Sequence, residues 1–144
     1  MGKLIASVFV LIWLSLSAYA ETAAGAITRW GLLGTWMVQC GPPLSPADQL
    51  SYAIRQGKPV HNRNLRDGGE ETFNITRAAV APDQTLELQI NYGSKIGVRD
   101  LGFIRGPDKR IRVKYNRKSD GTYVIFDGKF VANGALSVWQ ARCP

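Results

Sequence analysis

Histidine is nearly missing from this chain and cysteine is scarce, with one His and two Cys in 144 residues. That scarcity removes whole classes of chemistry. A zinc site takes three or four His, Cys or acidic ligands at short spacings. Cys40 and Cys143 belong to no C-x-x-C pair, and the scattered carboxylates have no calcium-loop spacing. No metal and no cofactor are expected. The G-x-S-x-G elbow that presents a nucleophilic serine is also absent. A hydrolase would need His61 as base, Ser45 or Ser51 as nucleophile and Asp67 as orienter. A lone histidine on a polar strand reads more simply as a surface residue, and no enzymatic activity is expected. Glu70 and Glu71 are adjacent, so on a strand they point to opposite faces and cannot form a facing acid–base pair.

Long apolar runs are lacking too, except at the start. Met1-Gly2-Lys3 is followed by an apolar stretch from Leu4 to Leu16 and then by Ser17-Ala18-Tyr19-Ala20. One positive charge, a short apolar core and small residues at a cleavage site make the plan of a secretory signal peptide, with cleavage after Ala20. The run is too short to cross a bilayer, which takes about 20 apolar residues, and no later segment is apolar enough. The expected organisation is a signal peptide over 1–20, a loose leader over 21–30 and one β domain over 31–144. Its address is periplasmic or secreted, without a transmembrane segment, and the domain is expected to be a monomer. In an oxidising compartment two cysteines with none left over suggest one disulfide, Cys40 to Cys143.

From Gly31 onward, short branched and aromatic runs alternate with Gly, Pro, Asp and Asn clusters, the mark of antiparallel strands joined by turns. Thr85 to Tyr92 is the clearest, with Leu86, Leu88 and Ile90 opposed to Glu87, Gln89 and Asn91. Asp127-Gly128 and Asn133-Gly134 suit tight hairpin turns. Some eight or nine strands emerge, and no amphipathic helix. A meander of this length removes its exposed edges by curling up. The fold class expected is all-β, an antiparallel up-and-down barrel of about eight strands closed near its ends by the disulfide.

Gly34-Thr35-Trp36, at the start of the first strand, resembles the Gly-x-Trp signature of the lipocalin and avidin superfamily. In that group the tryptophan plugs one barrel end, and in lipocalins a basic residue of the last strand lies across it. The resemblance implies that role for Trp36 with Arg142. The chain also resembles a group of small exported proteins of Gram-negative bacteria that share Gly-x-Trp-x-x-x-Cys-x-x-Pro and a terminal Trp-x-x-x-Cys, here Gly34 to Pro43 and Trp139 to Cys143.

Basic residues outnumber acidic ones, 18 to 11. Arg110, Arg112, Lys114, Arg117 and Lys118 form the densest group, and alternation puts Arg110, Arg112 and Lys114 opposite Ile111, Val113 and Tyr115. They could attract an anionic envelope component or merely keep a strand face solvated. Nucleic acid is not expected, because no stacking motif accompanies the charge and export removes the partner. Tyr52, Phe73, Tyr92 and Tyr115 are candidate cavity-lining aromatics. The leading expectation, carried by the resemblance, is a lipocalin-like barrel binding a small apolar or amphipathic ligand. The alternative is a protein-binding module, such as an inhibitor of a secreted hydrolase, presenting the loop Gly41 to Asp48.

Overall fold

Branched and aromatic runs, cut by the turn residues, fold into ten strands among the described residues. The computed structural model describes residues 21–42, 49–65 and 67–144. The segment expected to be a signal peptide, 1–20, and most of the loop 41–48 lie outside them. The strands are β1 (Gly34–Met37), β2 (Leu50–Arg55), β3 (Lys58–Asn64), β4 (Glu70–Val80), β5 (Leu86–Asn91), β6 (Val98–Arg105), β7 (Ile111–Lys118), β8 (Tyr123–Phe126), β9 (Lys129–Phe130) and β10 (Ala141–Cys143). Helices α1 (Ala23–Trp30) and α2 (Gly93–Ile96) complete the fold. Every strand pairs antiparallel with its neighbour in one sheet, order β10-β1-β2-β3-β4-β5-β6-β7-β8-β9.

The C-terminal stretch joins the two sides of this sheet. Ala141–Cys143 pair with β1, while Gln140, just before them, exchanges two backbone hydrogen bonds with Ile111 at the start of β7, 2.8 and 2.9 Å long. Backbone bonding therefore runs round a circuit of β1 to β7 and the chain end, eight strands in all, with β8 and β9 as an added hairpin. Cys40 and Cys143 are bonded with their Cα atoms 5.4 Å apart, clamping the chain end to the segment after β1. A link spanning 103 residues stabilises a fold by about 4 to 5 kcal/mol in the chain-entropy account.

Residues 21–30, expected as a loose leader, are instead a capped helix. The Thr22 hydroxyl accepts from Gly25 N, and Gly31, at φ +81°, takes the left-handed C-cap. Ala26 and Ile27 are completely buried, against β4 and β3. Eight residues of weak pattern do not hold a helix alone. This one forms because its apolar side covers the end of the sheet that carries the β2–β3, β4–β5 and β6–β7 turns.

Inside, Leu86, Leu88 and Ile90 line β5 as the alternation implies, with Ile75 and Ala78 of β4, Leu101 and Phe103 of β6, Ile111 of β7 and Trp36 of β1. The simple alternation fails on β7. Gly102 pairs with Tyr115 but Phe103 pairs with Val113, so Lys114 is an extra residue, a β-bulge. The bulge turns Tyr115 to the outer face and Asn116 to the inner one, opposite Leu101. Tyr115 is therefore outside the interior and lines, with Lys114, Tyr123, Phe126 and Asp127, an outer concavity of about 290 Å³. Its ring lies on Gly102, where a Cβ would meet it at 2.2 Å.

Candidate functional site

The end of the sheet opposite α1 carries the β3–β4 loop and the β5–β6 connection that contains α2. Register decides what points inward there. Tyr52 of β2 faces His61 of β3, and His61 faces Phe73 of β4. Tyr92 closes the group from the end of β5. The rings pack as one cluster. Tyr52 stacks on His61 at 4.8 Å between centroids, Phe73 meets Tyr92 at 4.8 Å, and Tyr92 stands edge-on to His61 at 6.0 Å. Three of the four aromatics singled out by sequence are thus brought together, and their centre is the histidine read as a surface residue.

His61 is 3% exposed. Its Nδ1 donates to the Ser51 carbonyl at 3.2 Å, which leaves Nε2 without a proton in the neutral ring. Burial holds its pKa down at about 4; the bond to Ser51 opposes that shift and the Arg63 charge adds to it. Burial likewise pushes the Tyr92 phenol up to about 12, and the Tyr52 phenol well above its ordinary value with a further contribution from Tyr92. At neutral pH all three rings are uncharged.

Around them the rim is basic. The Arg63 guanidinium lies 5.7 Å from the Phe73 ring centre and is paired with Glu71 at 3.0 Å. Arg63 and Arg99 both draw the Tyr92 phenol toward ionisation against the larger effect of burial. Arg63, Glu71, Phe73, Tyr92 and the turn Gly93 to Ile96 line a concavity of about 590 Å³. That volume falls in the range that holds small organic ligands.

The hydrolase constellation does not come together. Ser51 pairs with Asn62, on the opposite face of the sheet from His61, and reaches the ring only through its carbonyl. Asp67 accepts from Gly69 N within its own loop at 2.9 Å, and Ser45 lies outside the described residues. Glu70 and Glu71 diverge as adjacent strand residues do, each to its own arginine, Arg55 and Arg63.

At the other end Trp36 is buried, and its Nε1 donates to Leu32 O at 2.7 Å. Arg142 is its register partner, with the guanidinium over Gly34, where a Cβ would approach Nε to 2.8 Å. The arginine stacked on an indole here is Arg105, 4.5 Å from the Trp30 ring centre.

The basic group on β7 is largely compensated. Arg110 pairs with Asp108, Lys114 with Asp83 at 2.9 Å and Arg117 with Asp100 at 2.9 Å, while Arg112 stacks on Trp139. Lys118 is exposed at the strand end. Among the described residues no group of three or more His, Cys, Asp or Glu is placed to hold a metal ion, and no helix is long and apolar enough to cross a membrane. Compared with protein-family models, curated proteins and solved structures, the chain gives no match.

Proposed function

We propose that this chain is an exported, non-enzymatic barrel that binds a small apolar or amphipathic ligand at the end opposite α1, as the Gly34-Thr35-Trp36 resemblance to lipocalins implies. The observation that supports it is the cluster of Tyr52, His61, Phe73 and Tyr92 beneath a concavity of about 590 Å³. Aromatic faces offer a ligand large contact areas at little conformational cost. The uncharged His61 packs behind Phe73 and Tyr92 in this reading, with no proton to exchange near neutrality. An oxidising compartment suits the disulfide.

Native mass spectrometry of the protein taken from its own periplasm tests the reading directly, and a retained small molecule is the expected result. Titration with the uncharged probe dodecan-1-ol, followed by tryptophan and tyrosine fluorescence, should give saturable binding. Phe73→Leu should weaken it about tenfold, which corresponds to roughly 1.4 kcal/mol. No saturable binding, or binding indifferent to Phe73, overturns the proposal.

One observation favours the alternative, a protein-binding module. Phe126, Val131, Leu136 and Val138 are each more than half exposed on the β8–β9 hairpin and the stretch that follows it, and apolar patches of this kind mark interaction sites. A retained protein in the same spectrum would select it.

A further inference from the structure

Arg99 stands where an apolar residue belongs. On β6 it is two residues from Leu101 and four from Phe103, both buried, and its register partner on β5 is the fully buried Ile90. Its side chain therefore starts inward, and its charge is near enough to Tyr92 to draw that phenol toward ionisation, against the larger effect of burial. The Arg99 Nη1 is buried and has no hydrogen-bond partner among the described residues. Asn116, which the β7 bulge turns inward, is its diagonal neighbour, since Arg99 pairs with Lys118 and Leu101 with Asn116. The Asn116 Oδ1 is also buried and unpartnered. The two other buried orphans among the described residues are Thr85 Oγ1, in the β4–β5 turn, and Arg112 Nε, near the start of β7. A buried polar atom without a partner is rare and unfavourable; two on adjacent inward positions make a place for a polar group from outside.

No surrounding carboxylate hydrogen-bonds Arg99 among the described residues. Glu71 is held by Arg63 at 3.0 Å. Asp120 accepts from Thr122 N and Oγ1 through Oδ1 alone, at 2.9 and 2.7 Å, and its carboxyl is held below its ordinary value first by those bonds and then by the Lys118 and Arg99 charges. Asp100 is on the outer face, bound to Arg117 and Gln89. Lys118 adds a further positive charge at the rim. A guanidinium with a free edge receives an oxyanion through parallel N–H bonds. The asparagine amide can present either its donor or its acceptor end beside it.

Resting on the binding reading above, we infer that the ligand is an amphipathic oxyanion, an apolar body against Phe73 and Tyr92 whose carboxylate, sulfate or phosphate head is received by Arg99 with Asn116 alongside.

The test compares three probes with one twelve-carbon body, dodecanoate, dodecyl phosphate and dodecan-1-ol, each below its micelle concentration, on the full exported chain. The chain should bind the acids at least about tenfold more tightly than the alcohol. Arg99→Gln should abolish that preference, and Arg99→Lys should keep part of it. Phe73→Leu should weaken all three together. A tighter fit to one acid than to the other identifies the head group. Equal binding of acids and alcohol, or a preference that survives Arg99→Gln in a variant with an unchanged thermal midpoint, overturns this inference and leaves the binding reading intact. Binding of no probe overturns both.

Discussion

The two ends of the sheet hold their polar groups differently. At the end covered by α1, both indoles are anchored: Trp36 to Leu32 O at 2.7 Å, and Trp30 to the Gln84 carbonyl of the β4–β5 turn at 2.9 Å. Arg105 donates to Trp30 O while stacking on its ring. One buried group at this end is left over among the described residues, Thr85 Oγ1 in the same β4–β5 turn. At the opposite end the rings of Tyr52, His61 and Tyr92 pack together, the Arg99 charge acts on the Tyr92 phenol, and Arg99 keeps a buried N–H without a partner among the described residues. Polar groups satisfied inside the protein secure the fold. Those left unsatisfied make a surface that gains by binding.

If that division is right, damage to the covered end should appear as lost stability. The largest effect is expected from Trp36→Ala. The indole is 1% exposed and packs in the core, and truncating a buried aromatic costs about 3 to 5 kcal/mol. Urea unfolding should show that loss, and protein still folded should bind dodecan-1-ol with unchanged affinity. A variant that lost affinity but kept its urea midpoint would erase the distinction between the ends.

The open end should reveal itself through pH. His61 titrates at about 4 in the folded chain against 6.5 when unfolded, so between those values the unfolded chain binds the proton first. Stability is complete above pH 6.5 and falls as the pH drops toward 4, by up to about 3 kcal/mol. His61→Gln should flatten that part of the profile. An unchanged slope in the variant would place the acid sensitivity of that window in another group, and not in Asp83, whose carboxyl is held at about 2 by hydrogen bonds from Lys114 and Thr85 and by the Lys114 charge. Asp83 loses its ion pair only well below the His61 window.

What could be read from sequence was local. Asp127-Gly128 makes the tight turn its residue types imply, at φ +48° and +72°, and brings Phe126 opposite Lys129. Leu86, Leu88 and Ile90 face inward at 0, 2 and 0% exposure because an uninterrupted strand keeps period two. The paired cysteines followed from their number. What could not be read depended on the partner strand. One extra residue at Lys114 exchanged the faces of Tyr115 and Asn116, and the only sign of it was a glycine, Gly102, on the neighbouring strand. His61 looked exposed because Asn62, Arg63 and Asn64 follow it. Its burial comes from Tyr52 and Phe73, the residues that register sets on either side.

Helix α1 was missed for a related reason, and it gives the smallest effect expected here. Ala-Ala-Gly-Ala carries little pattern, and the informative residues stand outside the helix, Thr22 before it and Gly31 after it. Thr22→Ala removes the bond from Gly25 N, 3.0 Å long, which should lower stability by about 1 kcal/mol. The change is small enough to leave the chain folded, so it probes the coupling between the ends without destroying either. With α1 only frayed, Ile27 still covers the core and Tyr92 and Arg99 are untouched. Binding of dodecanoate should then stay within about twofold of the parent, well under the 1.4 kcal/mol that a tenfold change requires. A larger loss of affinity would mean that the covered end sets the geometry of the open one, and the circuit of β1 to β7 would have to be treated as a single mechanical unit.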